Sequence, residues 1–257
     1  MTRSTENAAP GTPTWLDIGV PDIEGAKAFY GTLFGWRFED HGAETGHYTT
    51  CYKDDLRVAA MMPNQEDGAT AFWWNVYFAT EDADATTDRV RKAGGHVVIG
   101  PGDVMDLGRM AVLDDPGGAR FGIWQGREHT GAQLVNAPGA LLWNDLTTPG
   151  ADTARAFYRD VFGLTSEPVP ETPGMDFTVL TRPDGRPVGG IVGDDGAAPA
   201  WLSWFAVEDT DAALERVRSS GGTADAPEDI PWGRTAACRD PWGAAFGVMT
   251  PAEEPSS

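Results

Sequence analysis

A chain of 257 residues with 41% hydrophobic and 23% charged side chains has an ordinary globular composition, which excludes wholesale disorder and leaves room for one large domain or two small ones. Lys and Arg number 19 against 39 Asp and Glu, and the net charge of −20 repels nucleic acid and anionic membrane surfaces. No run approaches the roughly 18 apolar residues of a membrane span. The polar start Met1–Pro13 lacks an apolar signal core, and Cys51 and Cys238 are too few for a disulfide framework, so a cytoplasmic protein is expected.

Residues 14–20 alternate as a strand that Pro21-Asp22 breaks, and Asp22 is placed to cap a helix. Ala26, Phe29, Tyr30 and Leu33 form an apolar stripe over Ile23–Phe34, and Gly35 stops that helix. Strands are predicted around 48–52 and 58–62. A second unit starts with a strand at 72–79 and a helix at 83–93 ended by Gly94-Gly95. Strands at 97–99, 109–114 and 119–124 follow.

The chain then repeats itself. Trp15-Leu16-Asp17-Ile18 returns as Trp143-Asn144-Asp145-Leu146, and Ala28-Phe29-Tyr30 with Phe34-Gly35 as Ala156-Phe157-Tyr158 with Phe162-Gly163. Arg89-Val90-Arg91 matches Arg216-Val217-Arg218, and Asp115-Pro116-Gly117-Gly118-Ala119 matches Asp240-Pro241-Trp242-Gly243-Ala244. Phe29 and Phe157 stand 128 residues apart, Phe121 and Phe246 stand 125 apart, so only small loop changes separate the halves. The predicted fold is α+β: four βαβββ modules in tandem, with curved mixed sheets enclosing clefts. Residues 1–12 are expected as a disordered tail, 13–125 and 139–250 as domains, 126–138 as a linker, and 251–257 as a C-terminal tail. Whether a cleft forms within one half or by exchange of modules stays open. Four modules in one chain make a monomer sufficient, with a homodimer as the alternative.

Strand–Pro-Asp–helix ending in Phe-Tyr, followed by Leu-Phe-Gly-Trp and closed by Asp-Pro-x-Gly-Ala-x-Phe-Gly, resembles the vicinal oxygen chelate superfamily, which includes glyoxalase I, bleomycin-resistance proteins and extradiol dioxygenases. The resemblance covers both halves and implies two vicinal oxygen chelate domains. In the enzymes of that family, a divalent metal is held by His, Gln or Glu on inward-facing strands. The matching positions here hold Trp15 and Trp143, Asn75 and Leu202, and Gly122 and Gly247, with the remaining position near Met61 and Ile191. Indole, methyl groups and glycine offer no metal donor, so no metal and no cofactor is expected. The histidines His41, His47, His96 and His129 all lie in the first half, and of these only His47 has a prospect of facing the cleft.

Strand alternation gives Trp73, Asn75 and Tyr77 the face of the vacated ligand positions, with Leu202 and Trp204 likewise in the second half. Trp124 and Met249 share cleft parity, as do Asp17 and Asp145. Trp74, Phe78, Trp201 and Phe205 point toward the helices, and Trp36 is expected in packing. Tyr48, Met61 and Phe177 complete the candidate ligand-binding set. Glycines at the vacated positions are expected to open room for a bulky ligand, and the two aspartates to meet a cationic group. No Gly-x-Ser-x-Gly elbow and no nucleotide-binding glycine spacing occurs, so no catalytic residue is assigned. The expectation is a metal-free protein that sequesters a bulky aromatic natural product or antibiotic, in self-resistance or in its biosynthesis. The alternative is a glyoxalase-like lyase or isomerase, or a hydroxylase-type enzyme.

Overall fold

The computed structural model describes residues 2–64, 71–172 and 174–252. The first half supplies an 8-stranded mixed sheet in the order 37–40, 49–53, 56–63, 13–20, 74–79, 120–126, 108–114, 96–104. The second half repeats this order with 165–168, 176–181, 187–193, 141–148, 200–206, 245–251, 233–239 and 223–224. Each sheet therefore joins two consecutive βαβββ modules of one half, and each cleft forms within its own half.

Helices α1 (Ile23–Phe34), α2 (Ala83–Lys92), α3 (Ala151–Phe162) and α4 (Thr210–Ser219) lie between the backs of the two sheets, α1 against α4 and α2 against α3. Asp22, Asp82 and Asp209 cap α1, α2 and α4 by accepting from Gly25, Ala85 and Ala212 backbone N–H groups. Gly35 and Gly163 end α1 and α3 in the left-handed region. The predicted stripe Ala26, Phe29, Tyr30, Leu33 is buried, and its Phe29 and Tyr30 rings meet Phe246 of the other half. Phe34 packs on Phe205 at 4.9 Å, and Phe78 on Trp201 at 5.2 Å, so one core spans both halves. Among the described residues no helix is long and apolar enough to cross a membrane.

The two repeated motifs bind each other across the halves. Tyr30 Oη donates to Asp240 Oδ2 at 2.9 Å, and Tyr158 Oη to Asp115 Oδ2 at 3.5 Å. The other oxygen of each aspartate accepts from its own turn: Gly117 and Ala119 N–H on Asp115, Trp242 and Ala244 N–H on Asp240. Tyr30→Phe removes the donor from a buried acceptor, and an expected loss of about 1–3 kcal/mol follows. Denaturant unfolding reads it, and a change below about 0.5 kcal/mol would contradict this assignment.

The tail and linker differ from expectation. Thr2–Arg3 pairs antiparallel with Leu134–Val135, Ser4 N–H donates to Gln133 O, and Gly11 N–H to Ala79 O. Polar side chains concealed this, because these contacts are made by backbone groups. The segment expected as a linker is likewise bound to the first sheet: Arg127 N–H donates to Leu107 O, Ala132 N–H to Thr14 O and Gln133 N–H to Arg57 O. Of the expected C-terminal tail, Pro251 ends the last strand and Ala252 N–H donates to Trp232 O, while residues 253–257 lie outside the described residues.

Candidate functional site

On the concave face of the first sheet, Asp17 lies opposite Ala60 on one side and Asn75 on the other, Trp15 opposite Tyr77, and Tyr77 opposite Gly122. Trp15, Ala60, Tyr77 and Trp124 form an apolar cluster separate from the main core, with Tyr48, Val104, Leu107 and Met110 packed on it. This cluster borders a cavity of about 660 Å³ lined by Trp15, Tyr48, Tyr77, Trp124, His41 and His129, together with the charged Arg57, Glu44 and Asp103 and the apolar side chains Val104, Met105, Leu107 and Met110. Its volume is in the range of small-molecule pockets.

A hydrogen-bond network holds the aromatic wall. Trp15 Nε1–H donates to Tyr48 Oη at 2.8 Å, and Tyr48 Oη donates on to Asp17 Oδ2 at 3.4 Å. Asp17 Oδ1 accepts from Asn75 Nδ2 at 2.9 Å and from Tyr77 Oη at 3.4 Å. Trp73 Nε1–H donates to Asn75 Oδ1 at 2.8 Å. Asp17 is 4% exposed, and burial pushes its pKa up to about 6 against the pull of these three donors. It supports the wall from beneath and does not line the cavity. The carboxylate expected to meet a cationic group is covered by its own hydrogen-bond partners.

The connector after residue 126 closes the other side. Trp124 Nε1–H donates to His129 O at 2.7 Å, and the His129 ring stands edge-on to Trp15 at 4.4 Å. Burial, then the charge of Arg57, pushes the His129 pKa down to about 4. The ring is therefore neutral at pH 7, and Nδ1 accepts from Gly131 N–H at 3.2 Å, which leaves the proton on Nε2. The sequence expectation for histidine is thus reversed. His47, at φ 60°, is exposed and paired with Asp40, while His41 and His129 line the cavity.

Three further expectations are corrected. Met61 is fully buried in the main core, and Ala60 takes the cleft face. The strand 56–63 carries a bulge where pairing passes from Cys51–Ala59 to Tyr52–Arg57. The bulge puts Val58 in the core beside Ala59 and turns Arg57 to the cleft. Gly190 replaces Ile191 in the same way, being the residue opposite Asp145. Trp73 is 44% exposed and does not line the cavity. Finally, the glycines open no room. A Cβ on Gly122 would lie 2.1 Å from Tyr77 Cδ1, and one on Gly247 2.0 Å from Trp204 Cε3, because aromatic rings lie over both. Gly122→Ala is expected to force Tyr77 aside at a cost of about 1–3 kcal/mol and to weaken aromatic ligand binding. Thermal unfolding and a ligand titration check this, and unchanged values in both would contradict it.

The second half places its candidates at matching positions: Trp143 and Asp145 as Trp15 and Asp17, Leu202 as Asn75, Trp204 as Tyr77, Phe177 as Tyr48 and Met249 as Trp124. Trp143 Nε1–H donates to Asp145 Oδ1 at 2.8 Å, and burial pushes Asp145 up to about 6. A Cβ on Gly190 would meet Phe177 Cε2 at 2.4 Å, and Phe177 stands 6.0 Å from the Trp232 ring. Against the effect of burial, the indoles of Trp143 and Trp204 both pull the Asp145 pKa the other way.

The donor set does not fit a divalent metal. Along each cleft floor stands one carboxylate, and both oxygens of Asp17 already accept hydrogen bonds. Among the described residues no three His, Cys, Asp or Glu side chains come together as a ligand group.

The chain belongs to the Glyoxalase/Bleomycin resistance protein/Dioxygenase superfamily, whose profile matches residues 12–123 and 140–248. It is 40% identical over 253 residues to CFP32 of Mycobacterium tuberculosis, provisionally named a glyoxylase, covering 95% of this chain and 96% of that one. It is 41% identical over 266 residues to the anthracycline biosynthesis protein DnrV of Streptomyces peucetius, covering 94% of each. Among solved structures, the Mn(II)-bound glyoxalase from Novosphingobium aromaticivorans shares the fold with a TM-score of 0.66 at 16% identity, over 96% of this chain and 84% of that one. The 2,3-dioxygenase LapB from Pseudomonas sp. KL28 does so with a TM-score of 0.64 at 15% identity, over 97% and 96%.

Proposed function

We propose that this protein is a metal-free binder of a flat polycyclic aromatic natural product, which it holds in the first-half cavity without chemical change. The observation that carries the reading is the wall of Trp15, Tyr48, Tyr77 and Trp124 around about 660 Å³ of space, on the strands where the family's enzymes carry metal ligands. Such rings offer stacking faces to a planar ligand. The relatives named for anthracycline biosynthesis point to ligands of the anthracycline type, bound as intermediate or product, or sequestered in self-resistance.

The polar groups support binding over turnover. The Tyr48 hydroxyl is held between Trp15 and Asp17, and burial with the Asp17 charge pushes its pKa well above the ordinary phenol value. Asp17 has the pKa of a usable base but no open face toward the cavity. Titrating intrinsic tryptophan fluorescence with an anthracycline aglycone tests the reading. Saturable quenching at low micromolar ligand, with ligand mass unchanged after incubation, is expected. Chelator-sensitive turnover of a methylglyoxal–thiol adduct, or absence of quenching, would overturn it.

A further inference from the structure

The cavity carries two carboxylates in its lining, Asp103, which is paired with Arg109 and Arg127, and the exposed Glu44. Arg57 lines it, and its Nε is buried with no hydrogen-bond partner. Among the described residues the Arg57 side chain forms no ion pair, whereas Arg109 and Arg127 are both paired to Asp103. Around it the Tyr48 and Tyr77 hydroxyls donate to Asp17 and the His129 carbonyl accepts from Trp124, and none of these oxygens accepts from Arg57 Nε. The His129 ring has its acceptor nitrogen taken by Gly131 and presents Nε2–H. Arg57 as a whole is half-buried, and a buried Nε–H without an acceptor is costly until something supplies one.

The position is built for this. The bulge at Val58 turns Arg57 out of the core, and the backbone is pinned on both sides: Arg57 N–H donates to Gln133 Oε1 at 3.1 Å and its carbonyl accepts from Gln133 N–H at 2.7 Å. In the second half the matching residue, opposite Thr181 across the same kind of bulge, is Pro187, which carries no charge.

We infer that Arg57 is the residue that selects the ligand of this cavity, and that it takes an anionic oxygen, a carboxylate or an ionised phenol, on the edge of the aromatic ring system. The inference rests on the reading of the cavity as an aromatic-binding site and reverses the sign of the group expected from Asp17 and Asp145. Of the carboxylates lining the cavity, Asp103 is neutralised by Arg109 and Arg127 and Glu44 is exposed; charges farther off than a Debye length of about 8 Å are screened at physiological salt, while the Arg57 guanidinium acts at contact.

Calorimetric titration of the full chain with anthraquinone-2-carboxylate and with its methyl ester, at 0.15 M salt, tests this. The acid is expected to bind at least ~10-fold more tightly than the ester. In Arg57→Met that ratio is expected to fall to about one, and in Arg57→Lys to recover part of its value. Equal binding of acid and ester by the unaltered protein would overturn the inference and leave the aromatic cavity standing. An unchanged ratio in folded Arg57→Met would do the same. If neither probe binds, both readings fall together.

Discussion

Replacing Trp15 with alanine is expected to weaken binding of a polycyclic aromatic ligand on the order of 100-fold, while Trp143→Ala leaves it within about 3-fold. Removing the indole deletes roughly 100 Å² of apolar contact, worth about 2.5 kcal/mol. The ring also holds Tyr48 through its N–H and stands against His129, so its loss loosens two more parts of the wall. Trp15 is buried, and the alanine variant loses stability as well, by about 3–5 kcal/mol. Trp15→Phe separates the two effects in part, since it keeps a smaller stacking face and gives up the N–H. Its expected loss is about 3–10-fold in affinity. Fluorescence titration of folded variants gives the answer. An affinity within about 3-fold for Trp15→Ala, or an equal loss for Trp143→Ala, would contradict the placement of the site in the first half.

Asp17→Asn is expected to stabilise the protein at pH 8 and to change little at pH 4. Both Asp17 and Asp145 titrate near pH 6 in the fold, against an ordinary value of 3.8. The folded state therefore holds the proton more tightly than the unfolded chain. The stability this contributes is fully present below about pH 4, is lost as pH rises through about 6, and stays lost above that. A rise of about two units corresponds to about 3 kcal/mol for each residue. Asparagine keeps the acceptor for Asn75 and Tyr77 and offers no charge to desolvate, so the variant escapes this penalty. For a chain of this size several degrees in melting temperature are expected at pH 8. Thermal unfolding at pH 4 and pH 8 measures it. Equal destabilisation of the variant at both values would show that the carboxylate is ionised and well solvated, contrary to its position beneath the aromatic wall.

The parts of the fold that local pattern encodes were legible. Phe29-Tyr30 and Asp240-Pro241 were visible as repeats, and they proved to touch through Tyr30 and Asp240, which explains why both recur. Alternation placed Trp15, Tyr77 and Trp124 on the cleft face because their strands run regularly past them. Met61, placed by the family resemblance as near the remaining ligand position, is one residue off, since Ala60 stands opposite Asp17; and past Ala59 a bulge shifts the alternation, of which strand periodicity carries no mark. Arg57 was hidden by the same shift. His129 read as part of a polar connector, yet it becomes a cavity wall because the connector's backbone bonds to Leu107 and Thr14. Gly122 read as space, because only the folded structure shows the Tyr77 ring lying on it. Each miss is a non-local fact, set by which strands and loops meet.

Native mass spectrometry of the full chain incubated with an anthracycline aglycone and, separately, with zinc, nickel and iron(II) salts tests the central claim most directly. The account predicts one intact ligand per chain, lost in Trp15→Ala, and no metal retained after exchange into volatile buffer. A stoichiometric metal ion that survives exchange, or a ligand recovered with altered mass, would contradict it.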